Sequence, residues 1–350
     1  MFRIYLTAFI SSLVYSLLLV PLSIRLARRF GVMDVPDLRK VHLQPVPRWG
    51  GLAIALSFYA ALGLAYYAFP RFAQLLSYKH KIVENGEIVG LLSLGAQARG
   101  IFFGSLFILA LGMWDDRARV PAAVKLLCQI IAAYIAMDYG VRFSGISLPW
   151  GESYLRFPLL LSQGVTILWL IGFMNTVNLV DGLDGLAAGI CVIAAGVFLI
   201  VAVLQGQTQV VLFSKQLKLA GVLSAALCGS CLGFLWYNFY PARVFMGDGG
   251  ALFIGFMLAS ITVIGTLKTT AFFSLFIPIL VVALPILDVA LSIVRRLRSQ
   301  QKLFAPDQNH LHHRLLRHGW TQREVVLGIY VITLVLSFFS ICLTVFKGKV

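Results

Sequence analysis

Carboxylates and imidazoles stand in this chain at places where apolar residues surround them. Asp115 and Asp116 are adjacent at the end of an apolar run, in GMWDDRARVPAAVKLLCQ. Asn175, Asn178, Asp181 and Asp184 recur at every third position of NTVNLVDGLDGLAAG. Asp248 lies among glycines in MGDGG, and His310, His312 and His313 fall together in HLHH. Acids at the ends of several segments suit a hard divalent cation and an anionic substrate. Adjacent aspartates diverge on a helix, so one can serve a cation while the other serves a different group.

Spacing limits what each group can do. A step of three residues falls about 60° short of a full helical turn, so the four polar side chains of 175–184 cannot share one face. Three neighbours can line an arc, and Gly182 and Gly185 let the backbone tighten or break there. Mutual capping among these groups is the structural alternative. Asp248 would either cap a helix or, unshielded between Gly247 and Gly249–Gly250, meet a metal or phosphate. Phe245, just before it, would pack on a base or on the protein. Pro121 suits a first helical turn, and Lys125, about one turn on, can reach back to an anion held at that N-terminus. The histidines lack distant Cys or His partners for zinc, so contact with phosphate or sugar is the better reading. The stretch Asp34 to Gly51 breaks helix repeatedly and mixes Asp, Arg, Lys and His. It reads as an ordinary basic loop or as a folded loop facing phosphate.

These groups must be positioned by apolar elements. The chain is 59% hydrophobic and 12% charged, with mean hydropathy +0.88. A soluble protein carries roughly 25% charged residues, so the lipid bilayer is the better solvent. Runs near the roughly 20 apolar residues a spanning helix needs occur at about 4–26, 50–69, 100–114 (short), 121–141, 157–177, 185–204, 217–236, 249–267, 270–293 and 325–346. The first lacks a small-residue cleavage site and reads as an anchor. The expected fold is an all-α polytopic membrane bundle of about ten spans, one domain over residues 1–350. The net charge of +15 would suggest nucleic acid on a soluble protein. Here it reads as cytoplasmic loops, with no nucleic-acid partner. Seventeen of the 29 Lys and Arg fall in the loops 25–48, 115–125, 243 and 295–323, which makes that face cytoplasmic and both termini external. Ten of the fourteen acids share that face, which charge-biased insertion does not require. The five cysteines sit in apolar runs and read as small hydrophobes; Cys228 and Cys231 form a CxxC with no second pair.

Taken together, these stretches resemble the polyprenyl-phosphate N-acetylhexosamine-1-phosphate transferase family. That family includes phospho-MurNAc-pentapeptide translocase and the undecaprenyl-phosphate GlcNAc-1-phosphate transferases. The motifs run in the family's order from 34 to 319. The resemblance implies a bundle of about ten spans in the bacterial plasma membrane, with its active site on the cytoplasmic face. It implies transfer of a sugar phosphate, GlcNAc-1-phosphate by preference, from a UDP-N-acetylhexosamine to undecaprenyl phosphate. It implies Mg²⁺, with Mn²⁺ as the alternative cation. Asp115, Asp116 and Asp248 match catalytic positions, with Asp248 and Asp116 as metal ligands. Lys125 matches a phosphate-binding lysine, and Asn178, Asp181 and Asp184 match the nucleotide and metal pocket. Phe245 matches an aromatic near uracil, and His310, His312 and His313 match the last histidine motif. HLHHRL departs from the peptidoglycan branch, which has three successive histidines and an acid close behind, and this favours the polysaccharide branch. A homodimer is left open. The rival from another class is a cation-coupled transporter, whose coupling acids sit near the bilayer midplane rather than at helix ends.

Overall fold

The computed structural model describes residues 1–36, 44–84, 87–147, 154–206, 211–265, 315 and 318–347. Ten helices appear among them: α1 (Phe2–Arg29), α2 (Gly50–Ala68), α3 (Pro70–Leu76), α4 (Leu94–Ala118), α5 (Ala122–Asp138), α6 (Leu159–Val180), α7 (Leu186–Gln205), α8 (Val211–Asn238), α9 (Gly247–Gly265) and α10 (Gln322–Lys347). Eight are long and apolar enough to cross a membrane: all but α3 and α5. α5 has 17 residues, the lower limit for a span. The expected span at 270–293 lies outside the described residues. The chain is thus a multi-pass membrane protein.

Two details differ from the sequence expectation. The third span is not short. α4 has 25 residues, because Gln97 and Arg99 interrupt the apolar run without ending the helix. Ser93 caps its first turn, accepting from Ala96 N at 3.3 Å, and buried Gln97 donates Nε2 to Gly140 O at 2.9 Å. The all-α expectation also omits three antiparallel hairpins in the loops: β1 (Met33–Asp34) with β2 (Val46–Pro47), β3 (Lys79–Glu84) with β4 (Glu87–Ser93), and β5 (Gly145–Ser147) with β6 (Tyr154–Arg156). Backbone leaving the helices satisfies its N–H and C=O groups by pairing there.

Helix α9 is the axis of the bundle. Every residue from Gly249 to Ile264 is buried, and the helix packs on α2, α4, α6 and α8. Its first turn is pressed against two other helices. A Cβ at Gly51 would strike the backbone of Gly250, and one at Gly112 would strike that of Gly249. Small residues let helix backbones approach this closely in lipid. The start of α9 is thereby fixed between the start of α2 and the last turns of α4.

Candidate active site

The last turn of α4 carries Asp115 and Asp116. The helix stops at Arg119, which takes a left-handed conformation with φ +46°. Asp115 holds the turn that follows: its Oδ1 accepts from Val120 N at 2.6 Å. Pro121 then starts α5, and Lys125 comes back over the same turn. Its Nζ pairs with the Asp115 carboxylate and lies 2.8 Å from Asp248 Oδ2. One ammonium therefore joins acids from α4 and α9.

Asp116 is engaged differently. It accepts from Asp248 N at 2.9 Å and from Gly249 N at 3.4 Å. It thus caps the first turn of α9 from another helix, 132 residues away in sequence, satisfying N–H groups that a helix start leaves free. Gly247 permits this approach. Its φ is +70°, and an added Cβ would run into Arg48 O and the Asp116 carboxylate.

Arg48 completes the cluster. The chain around it is laced to the segment before α9: Phe245 N donates to Pro47 O at 2.8 Å, Gly50 N to Phe245 O at 3.0 Å and Gly51 N to Met246 O at 2.9 Å. The guanidinium reaches three acids, at 3.5 Å to Asp34 Oδ1, 3.4 Å to Asp116 Oδ1 and 3.5 Å to Asp248 Oδ1. Burial opposes its charge, but Asp116, Asp248, Asp34 and Asp181 outweigh burial and raise its pKa. The sequence reading left Arg48 in a basic loop and missed it as a site residue. Its place two positions before Gly50–Gly51, in a loop already suspected of facing phosphate, was the available signal.

The α6–α7 turn supplies the remaining acids. Asp181 is the C-cap of α6. It keeps part of its surface open yet is densely surrounded by protein, and that burial pushes its carboxyl up to about 8, with Arg48 opposing. Asp184 Oδ2 accepts from Ala242 N at 2.9 Å. Gly185, at φ +80°, is tied on both sides: its N donates to Asn238 Oδ1 at 3.1 Å and its O accepts from Tyr330 Oη at 2.5 Å. Asn175, first of the polar series, is spent structurally, exchanging amide hydrogen bonds of 2.9 and 3.2 Å with Gln129 of α5. Asn178 is partly buried on the last turn of α6. Phe245 is partly buried with its backbone in the lacing described above. His310, His312 and His313 lie outside the described residues. All five cysteines are unpaired.

The structure therefore gathers Asp34, Asp115, Asp116, Asp181 and Asp248 around two cations, Arg48 and Lys125. Among the described residues no three His, Cys, Asp or Glu side chains form a ready-made metal cage. The donor set still fits Mg²⁺, which takes one or two carboxylates and fills its shell with water and substrate phosphate. Asp116 and Asp248 converge on one guanidinium, so their carboxylates are close enough to share a cation.

A family model described as glycosyl transferase family 4 matches residues 98–266. The chain is 35% identical over 341 residues to a Bacillus subtilis (strain 168) protein named "Probable undecaprenyl-phosphate N-acetylglucosaminyl 1-phosphate transferase", covering 96% of this chain and 84% of that protein. The chain belongs to glycosyl transferase family 4. Two further relatives bracket it. A decaprenyl-phosphate N-acetylglucosaminephosphotransferase of Mycobacterium leprae (strain TN) is 38% identical, with 87% of this chain and 75% of the relative covered. A phospho-N-acetylmuramoyl-pentapeptide-transferase of Desulforudis audaxviator (strain MP104C) is 34% identical, with 94% of each covered. The family 4 segment contains Asp115, Asp116, Lys125, Asp181, Asp184 and Asp248, whereas Arg48 and the three histidines lie outside it.

Proposed function

We propose that this family 4 transferase moves an N-acetylhexosamine-1-phosphate, GlcNAc-1-phosphate first among candidates, from its UDP carrier to undecaprenyl phosphate and releases UMP. The reaction takes place on the face that bears Asp115, Asp116 and Asp248, which we assign to the cytoplasm. The observation that carries the reading is Lys125 shared between Asp115 and Asp248 at the meeting of α4, α5 and α9. The names of the Bacillus and Mycobacterium relatives supply the substrate classes.

Two anionic substrates must approach each other, so the chain's task is positioning and charge compensation. The lipid phosphate oxygen attacks the β-phosphorus of the UDP-sugar, the bond from that phosphorus to the bridging oxygen breaks, and UMP carries the electron pair away. Lys125 binds a phosphate oxygen and is aimed by its two acids. Asp115, buried and beside Lys125, takes up any proton left on the attacking phosphate. Asp116 holds the first turn of α9 and with it Asp248. Asp116 and Asp248 would hold Mg²⁺ or Mn²⁺, which would supply charge neutralisation of the diphosphate. Asn178, Asp181, Asp184 and Phe245 face the nucleotide, and His310, His312 and His313 contribute phosphate contacts. The isoprenoid tail stays in the bilayer, which accounts for a phosphotransferase built of spans.

The test is UMP release from a panel of UDP-sugars. Release should require undecaprenyl phosphate and a divalent cation, with UDP-GlcNAc preferred. Release without the lipid phosphate, or transport without release, would overturn the proposal.

A further inference from the structure

Helix α10 contributes no acid to the cluster, yet it holds the turn that carries two of them. The segment GIYVITLVLSFF of this helix is apolar apart from Tyr330, one threonine and one serine. α10 packs on α7, and Tyr330 enters a notch there. The notch exists because residue 189 is glycine: a Cβ at that position would overlap the ring and hydroxyl of Tyr330. Small residues are what allow helices to approach this closely in lipid.

A tyrosine hydroxyl in apolar surroundings needs a partner, and Tyr330 Oη donates to Gly185 O at 2.5 Å. Gly185 follows Asp184 and is the N-cap of α7. Its O also accepts from Gly189 N at 2.9 Å, so the first bond of α7 and the bond from α10 meet on one carbonyl. Its N donates to Asn238 Oδ1 at 3.1 Å. Both backbone polar groups of Gly185 are thus anchored by other helices, α8 and α10. A second contact of α10 is independent of the first. Arg323, in its first turn, donates Nη2 to Tyr240 O at 3.3 Å and lies 5.4 Å from the centre of the Tyr240 ring. Ala242, two residues on, donates its N to Asp184 Oδ2 at 2.9 Å. α10 therefore grips both sides of the Asp184–Ala242 bond, the α6–α7 turn through Tyr330 and the 239–243 loop through Arg323. The Arg323 bond is exposed and the Tyr330 bond is partly buried. Water competes with the former, so Tyr330 carries more of the hold.

We propose that Tyr330 is a positioning residue for nucleotide binding: its hydroxyl fixes Gly185 and so keeps Asp181 and Asp184 aimed at the UDP part of the donor. This deepens the transferase reading and rests on it. Without the hydroxyl, Gly185 O keeps only the α7 bond, and the start of α7 can turn about a residue with unusual backbone freedom. The loss falls on donor binding, because Lys125 and Asp115, which serve the lipid phosphate, come from α5 and α4.

Tyr330→Phe leaves the ring in the Gly189 notch and removes only the hydroxyl. Calorimetric titration of the full-length protein in detergent with UDP and Mg²⁺ should show Kd raised about three- to tenfold, the range of one neutral hydrogen bond expressed as affinity. KM for the UDP-sugar should rise by the same factor, with kcat within about twofold and KM for undecaprenyl phosphate unchanged, the pattern of lost uniform binding. Gly189→Ala, which pushes the ring out, should weaken UDP at least as much and add little in a Tyr330→Leu background. Thr262→Val is the control. It removes a comparable interhelical bond, from Trp169 Nε1 at 2.8 Å, and should lower melting while leaving UDP affinity alone. Unchanged Kd and KM in Tyr330→Phe would overturn this role alone. Full additivity of the Gly189 and Tyr330 changes, or an equal loss of UDP affinity in Thr262→Val, would also overturn it, by showing general loosening rather than one contact. Failure of the wild type to bind UDP would overturn the transferase reading, and this role with it.

Discussion

Arg48 is the residue whose removal the cluster should tolerate least. It faces Asp34, Asp116 and Asp248 at 3.4–3.5 Å. At an effective dielectric of about 20, each such pair attracts by about 5 kcal/mol before desolvation. Desolvation takes most of that back, and the Arg48 side chain is 32% exposed, so solvent screens part of the rest. The Asp116 side chain is only 1% exposed. Breaking one side of a fully buried pair costs about 3–5 kcal/mol, and discounting for exposure leaves about 2–3 kcal/mol for Arg48→Gln. Melting followed by a thiol-reactive or tryptophan probe in detergent should show that loss when divalent cation is chelated. Saturating Mg²⁺ should restore much of it, because a cation can replace the lost positive charge between Asp116 and Asp248. UMP release should fall by about thirty- to 150-fold if the same energy is lost from the transition state. Arg48→Lys should recover less than half of the stability, since a single ammonium cannot span three acids from three elements. Wild-type melting of Arg48→Gln with and without cation would refute the claim that Arg48 holds the carboxylates together.

Other outcomes follow from the same geometry. Gly247→Ala should lose at least about 1–3 kcal/mol, because a Cβ at φ +70° is strained and also meets Arg48 O and Asp116; normal melting and turnover would show that the α9 start can shift freely. Asp115→Asn should insert as wild type and melt somewhat lower, because the pairing with Lys125 is lost, and should lower kcat more than KM for the UDP-sugar, the signature of an interaction used mainly in the transition state; equal losses of nucleotide binding and turnover would move Asp115 into the nucleotide pocket. Asp181, raised to about 8 by burial, keeps a proton in the folded protein between pH 4 and 8. Cation binding favours its carboxylate, so calorimetry in buffers of different ionisation enthalpy should find proton release at pH 7 that shrinks above pH 8 and in Asp181→Asn. Unchanged release in that variant would place Asp181 away from the cation. Cysteines placed at Leu183 and Gln308 in a cysteine-free background should label from the cytosol and one at Asn85 from outside; the reverse pattern would invert the topology.

Much of the architecture was legible because lipid enforces long apolar runs. Eight of the ten expected spans correspond to helices long enough to cross. The ends were less legible. α4 begins at Leu94 because one buried amide, Gln97, and one arginine can be absorbed at a helix end, which a hydropathy run reads as a stop. The hairpins at 79–93 and 145–156 were missed because short strands between helices leave no long alternating pattern. In the site, the types of Asp115, Lys125, Asp181 and Asp248 announced themselves as charges beside apolar runs. What each one does was not readable. The capping of Asp248 and Gly249 by Asp116, and the reach of Arg48 to Asp116 and Asp248, depend on contacts across 68 to 200 positions. The packing of Gly51 on Gly250 and Gly112 on Gly249, with the backbone bonds between 47–51 and 245–246, brings those segments together. Asn175, read with its neighbours as one polar series, turned out to tie α6 to α5.

The central claim is that a sugar phosphate, not a sugar, moves to lipid at the Lys125–Asp248 centre. UDP-GlcNAc labelled with ³²P at the β-phosphorus decides it directly. With undecaprenyl phosphate and Mg²⁺, the label should pass into the lipid fraction with unlabelled UMP left in the aqueous phase. Asp248→Asn should cut that transfer by at least about a hundredfold, the scale of losing a major electrostatic element. Label retained as aqueous UDP while the sugar enters lipid, or undiminished transfer by Asp248→Asn, would contradict the account.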